Sequence, residues 1–225
     1  MVRNLPHRTS ALRTLGAYAN IFAIESFIDE LATEICVDPV ELRLNYLGDQ
    51  RAKACIEAVV EEIGDIDATQ PNHGWGIGFA QYKNSKAYAA VAVEVMVNEA
   101  AEIKLLKVII AADAGQIIDP KGVTAQLEGG FIQAASWTIY EEVMYDNKNI
   151  RSIDWESYPI IGFDNIPDFK TILINMPDEP FVGIGEAVCG PAAGAIGNAV
   201  FKATGLRVRQ LPMTPSNLRS LALKS

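Results

Sequence analysis

The stretch Phe181–Thr204, FVGIGEAVCGPAAGAIGNAVFKAT, decides how the rest of the chain is read. An extended approach, Thr171–Asn175 (TILIN), leads into a glycine-spaced turn, Gly183-Ile184-Gly185-Glu186, and the turn leads into a helix. Pro191 suits a first helical turn, where its missing N–H leaves no bond unmade. Ala192, Ile196, Ala199, Val200 and Ala203 recur at helical spacing, and Gly205 stands where a left-handed stop belongs. The one acidic side chain of the run is Glu186. Glycines ahead of it let backbone or ligand come close. A carboxylate among small apolar residues is expected to have a raised pKa and to serve as a general base. The plainer alternative is a surface glutamate favoured by the dipole of the helix that follows.

Composition narrows the function classes. The chain has 225 residues, 49% of them hydrophobic, so a sizeable core is available in one large domain or two small ones. A formal net charge of −9, with no basic run, argues against nucleic-acid and anionic-membrane binding. Cys36, Cys55 and Cys189 lie far apart with no CxxC spacing, which predicts reduced, mostly buried thiols rather than a disulfide framework or zinc site. His7 and His73 are the only histidines, too few for a histidine-based metal centre. No apolar run reaches 18 residues, so no transmembrane helix is expected, and the N-terminus lacks an apolar signal core. A cytoplasmic location is the corresponding expectation.

The first third reads as helical. Thr14–Thr33 is a helix whose apolar face would carry Tyr18, Phe22, Phe27, Ile28 and Leu31. Asp38-Pro39 opens the next helix as N-cap and first position, Val40–Tyr46 continues it and Gly48 is a plausible stop. Arg51–Ile63 is amphipathic, with Ala52, Cys55, Ile56, Val59, Val60 and Ile63 on one side and Glu57, Glu61 and Glu62 toward solvent. The stretch 64–74 (GDIDATQPNHG) marks a boundary. It separates a helical segment, 1–63, from an α+β C-terminal part, 75–225.

Beyond the boundary the texture turns β-rich. Trp75–Gln81 is short and glycine-spaced. Ala87–Val97 and Ile103–Ala112 read as a hairpin around a turn at Asn98–Glu102. Gly122–Glu142 is an amphipathic helix with Leu127, Phe131, Ala134, Ala135 and Ile139 as core. Tyr145–Asn149 is a tight turn, and Arg151–Ile161 and Lys170–Asn175 carry strand-like pieces. The helix from Pro191 precedes a proline-punctuated tail. The fold class is α+β: helices, a mixed β-rich region, then a C-terminal helix.

Several short motifs invite chemistry. Arg13 in Arg13-Thr-Leu-Gly16 offers five donors to a phosphate or carbonyl ligand, or is a loop arginine. Gln126, early in a helix, and Gln133, two turns later, can each donate to and accept from a polar ring system, or serve as capping and surface polarity. GWGIG at 74–78 has the look of a dinucleotide loop but neither opens a helix nor lies in a βαβ unit, so that reading fails. Asp113-Ala-Gly115 and Asp119-Pro120 are turn chemistry.

The order of these pieces resembles the C-terminal part of the molybdopterin-binding large subunit of the xanthine dehydrogenase/aldehyde oxidase family. The resemblance runs through LRTLGAYANIFAIESFIDELA, DPVELRLNYL, GWGIGFAQYKN, AYAAVAVEVMV, AADAGQIIDPKGVTAQLEGGFIQAASWTIYEEV, DWESYPI and GIGEAVCGPAAGAIGNAVFKATG. It implies that Glu186 is the catalytic base, that Arg13, Gln126 and Gly185 lie against the molybdopterin, and that Leu15 shapes the substrate pocket. It also implies oxidation of an aldehyde or N-heterocyclic aromatic with water as oxygen source. The molybdenum would be held through the pterin, in a dinucleotide form, and not by side chains. Iron–sulfur clusters, and FAD, would sit on partner subunits.

The chain also departs from the family pattern. It has no GGxF-type segment, no GQG segment and no ferredoxin-like cysteine spacing. Part of the cofactor shell is therefore expected from elsewhere, with the chain either one subunit of a split enzyme or an excised piece. The expected partners are the remaining molybdopterin-binding part, an iron–sulfur subunit and a small-molecule substrate, with homo-oligomerisation compatible. The alternative reading is a non-catalytic structural or interaction module of the same fold.

Overall fold

The computed structural model describes residues 10–63 and 70–224. The opening loop and much of the 64–74 boundary lie outside the described residues. Four strands form one sheet in the order β1 (His73–Gln81), β2 (Tyr88–Val97), β3 (Ile103–Asp113), β4 (Asp168–Ile174). The first three strands are antiparallel, and β4 joins β3 in parallel. The parallel pair requires a crossover, supplied by helix α4 (Pro120–Ile139). The β2–β3 hairpin closes at Asn98–Glu102 as its sequence predicts, with Asn98 N–H donating to Glu102 O.

Helices cover both sheet faces. On one face lie α4 and α5 (Cys189–Thr204), packed on Val91, Val93, Val108 and Ile110. On the other lies α3 (Gln50–Ile63), whose Cys55, Ile56 and Val59 meet Ala90, Ala92, Ile109 and Ala111. α1 (Ala17–Glu34) packs behind α5, and α2 (Pro39–Tyr46) follows it with Asp38 capping Val40 and Glu41 N–H. α5 is thus enclosed on every side; all residues from Cys189 to Val200 are buried. Gly205, at φ 73°, ends it in the expected left-handed cap.

The glycine spacing at 74–78 belongs to this packing. Trp75–Gln81, read only as a short glycine-spaced piece, is most of the nine-residue β1. Its alternate residues Gly74, Gly76 and Gly78 face α5. A Cβ on Gly76 would stand 2.2 Å from both Ala195 O and Ala199 N. Side chains are missing there because two backbones occupy the space.

Three other expectations need correction. Arg151–Ile161 forms no strand; Ile153, Trp155 and Ile160 are exposed, and β-branched or aromatic residues without a pairing partner do not make a strand. Asp119-Pro120 is not merely a turn: Asp119 accepts from Gly122 N–H as the N-cap of α4, with Pro120 at its first position. The tail contains a further helix, α6 (Pro215–Ala222), capped by Thr214.

α1 also presents an unexpected face. Phe22 is buried, but Phe27 and Leu31 are exposed, and the inner stripe is Phe22, Glu25, Ser26, Asp29 and Ala32. The inward acids are paired: Glu25 with Arg43 at 2.9 Å, and Asp29 with Arg207. Gly194 on α5 leaves room for Glu25, since a Cβ there would stand 2.6 Å from Glu25 Cβ. Burial raises the Glu25 pKa above its ordinary value against the pull of Arg43.

Candidate active site

The site forms where the start of α5 meets the segment ahead of α1. Residues 185–188 make a turn just before α5, so the GxGE motif leads into the buried helix. Cys189 Sγ bonds Gly130 O at 3.4 Å and ties this end of α5 to α4. Burial pushes the Cys189 thiol up to about 11, which leaves it an inert packing group.

Arg13 is the clasp. Its Nε donates to Gly185 O at 2.6 Å, and Nη2 donates to the same carbonyl. Nη1 reaches Gln133 Oε1 at 3.0 Å, and Nη2 reaches Gln126 Oε1 at 3.2 Å. One guanidinium therefore joins the N-terminal segment, two successive turns of α4 and the glutamate turn. Gly130 makes room for it: a Cβ there would stand 3.0 Å from Arg13 Nη2. Gln126 and Gln133 are both exposed. Each amide accepts from Arg13 through its oxygen, which leaves its NH2 as a donor not used in that clasp.

Glu186 follows directly. Thr14 N–H donates to its Oε1 at 2.8 Å. That bond needs an unusual backbone, for Thr14 and Leu15 have φ of 74° and 54°, although neither is glycine. Left-handed conformations cost about 1–3 kcal/mol at such residues and gather at functional sites. Thr14 is buried, while Leu15 is exposed. A cavity of about 400 Å³ opens here, lined by Thr14, Leu15, Ile24, Tyr82, Lys83 and Glu186 among others. Its size is within the range of small-ligand pockets.

The electrostatics overturn the expected raised pKa of Glu186. The Thr14 N–H and then the Tyr82 hydroxyl hold the carboxyl below its ordinary value, with Lys83 and Arg13 adding smaller pulls against desolvation. Tyr82 itself is pushed up to about 12, by burial first and then by Glu186. The Tyr82 hydroxyl is buried and closes no hydrogen bond, and Tyr82 lines the same cavity as Glu186. Thr14 and Tyr82 did not emerge from the sequence. Their only signals were a place beside Arg13 and a place at the end of a glycine-spaced strand.

The structure thus brings Arg13, Gln126, Gly185 and Glu186 into one cluster, and Leu15 into the cavity that Glu186 lines. Among the described residues no group of three or more His, Cys, Asp or Glu is placed to hold a metal ion. The two amides, each with an NH2 not used by Arg13, suit an acceptor-rich ring system or phosphate.

Residues 42–167 match the family model described as a molybdopterin cofactor-binding domain. The chain is 37% identical to one of the subunits of the nicotinate dehydrogenase of Pseudomonas putida, over 95% of this chain and 19% of that protein. It is 30% identical to the β subunit of the isoquinoline 1-oxidoreductase of Brevundimonas diminuta, over 91% of this chain and 26% of that protein. The aldehyde oxidoreductase of Desulfovibrio gigas shares the fold, with a TM-score of 0.78 at 16% identity over 96% of this chain and 42% of that one. The chain spans about a fifth to a quarter of the length of the curated relatives it matches. By the extent of the family match and the α+β architecture that carries it, the chain belongs to the molybdopterin cofactor-binding domain family.

Proposed function

We propose that the chain is the C-terminal portion, or one subunit, of a molybdenum hydroxylase. It would oxidise an aldehyde or an N-heterocyclic aromatic and take the oxygen from water. The observation that carries this reading is the Arg13 clasp, which sets Gly185 and Gln126 against one another and leaves the adjacent Glu186 lining a cavity.

The residues divide the work. Arg13, Gln126 and Gly185 hold the cofactor side, with the amide NH2 of Gln126 as donor. The cofactor, a molybdopterin in a dinucleotide form, supplies the two-electron oxidation when bound. Leu15 lines the substrate side and limits which flat ring or chain can approach. Glu186 is the general base. It is ionised near neutrality, and because one oxygen is committed to Thr14 N–H, the other receives the proton.

The remaining molybdopterin-binding polypeptide is the first partner of this reading. What supports it is an exposed apolar stripe of Ile24, Phe27 and Leu31 on α1, continued by Ile35 just past its end. An iron–sulfur subunit, with FAD, completes the electron path, and homo-oligomerisation is compatible with the same surfaces. No helix of the described residues is long and apolar enough to cross a membrane, and we place the enzyme in the cytoplasm.

Glu186→Gln in the assembled enzyme is the test. Turnover is expected to fall roughly 100-fold or more with molybdenum content unchanged. Survival within about tenfold, with full metal, removes the base assignment.

A further inference from the structure

We propose that Tyr82 is the positioning residue for Glu186, its buried hydroxyl donating across the cavity to the carboxylate and directing the oxygen that Thr14 leaves free. This rests on the reading of Glu186 as a base.

Backbone geometry aims the ring. Tyr82 follows the last residue of β1, and its N–H donates to Ala87 O at 2.9 Å while Lys86 N–H donates to Tyr82 O at 2.9 Å. The loop between is tight enough that Lys83 and Asn84 adopt φ of 52° and 53°. Both neighbours are exposed, whereas Tyr82 is only 7% exposed. The turn therefore drives one aromatic ring inward and leaves a cation above it, Lys83 Nζ lying 5.1 Å from the ring centroid.

The hydroxyl needs an acceptor. It is buried and closes no hydrogen bond. A buried polar group left unpaired is costly, and an ionised carboxylate is an acceptor only. Glu186 is the one carboxylate lining the cavity. One of its oxygens already takes Thr14 N–H at 2.8 Å. The charged or titratable groups acting on this pair are Arg13, Lys83 and Cys189. With Tyr82 as the second donor the plane of the carboxylate is fixed, whereas the single bond to Thr14 leaves it free to rotate. Tyr82 so determines the direction from which Glu186 accepts a proton, and it keeps the base ionised.

The test compares the parent chain with Tyr82→Phe, which keeps the ring and removes the hydroxyl. The Glu186 carboxyl is followed by 13C NMR with labelled glutamate, its signal assigned by its loss in Glu186→Gln. Removing a donor to a charged group is expected to raise the Glu186 titration by about one pH unit. Equal titrations, within about a third of a unit, overturn the proposal. A second readout does not need Tyr82→Phe to fold. Ultraviolet titration of tyrosinate in Glu186→Gln is expected to bring Tyr82 down from about 12, and an unmoved value overturns the pairing. In the assembled enzyme, the acid limb of kcat/KM in Tyr82→Phe is expected to move up with the NMR titration. If the NMR shift occurs and the acid limb stays, the pairing of the two residues stands and the base reading fails.

Discussion

Alanine replacements at the adjacent glycines of α4 should differ sharply in their effect on stability. At Gly129 an added Cβ meets nothing within 4 Å. There the change simply gains helix propensity, and Gly129→Ala should stabilise by about 1 kcal/mol. At Gly130 the same Cβ would stand 2.7 Å from Val188 Cγ1 and 3.0 Å from Arg13 Nη2. Overpacking costs about 1–3 kcal/mol, so after the propensity gain Gly130→Ala should lie between neutral and about 2 kcal/mol destabilised. The gap between the two variants, about 1–3 kcal/mol, is read from urea unfolding midpoints with a common m-value. Because Val188 and Arg13 belong to the glutamate turn and its clasp, Gly130→Ala should also lower the molybdenum content of the assembled enzyme, and Gly129→Ala should not. Equal stabilisation by both variants would refute the reasoning, since it would mean that Gly130 carries no packing constraint.

Three further outcomes follow from the same packing and charge arrangement. Gly76→Ala forces a Cβ to 2.2 Å from two backbone atoms of α5, and a loss of about 3 kcal/mol or more is expected in the same unfolding assay. Arg43→Leu strands the buried Glu25 carboxylate and should cost about 3–5 kcal/mol near neutrality. Since the folded pKa of Glu25 is already raised, its contribution to stability is present below its ordinary 4.5 and is lost as pH rises. The deficit of Arg43→Leu should therefore shrink on acidification; a deficit independent of pH would contradict the buried charge. Glu186 has the opposite sign: with its folded pKa depressed, its contribution is present above 4.5 and is lost as pH falls through the folded value. The stability difference between parent and Glu186→Gln should close in acid, which unfolding curves at stepped pH would measure.

Local chemistry was legible in the sequence wherever a few neighbouring residues settle the outcome. Asp38-Pro39 capped α2, Gly205 ended α5, and Asn98–Glu102 turned the hairpin, each through bonds that close within five residues. The ordered motifs around Gln126 and Glu186 were legible in the same way, and they sufficed to name the family. Other features required a partner from far along the chain. β1 is a strand with three glycines, a poor strand by propensity, and it makes sense only against the backbone of α5. The inner stripe of α1 carries two acids because Arg43 and Arg207 meet them, while apolar Phe27 faces outward. Hydrophobic periodicity cannot foresee a paired charge.

The sequence alone determined the fold class, the family and the identity of the one acid in the GxGE turn. Only the tertiary structure decided that acid's ionisation. The side chain was expected to be strained toward its neutral form by apolar surroundings, but a backbone N–H from a residue 172 positions earlier bonds it, and that donor and the hydroxyl of Tyr82, just past β1, lower its pKa. A carboxylate's proton affinity is set by the donors around it, and those donors are neighbours in space.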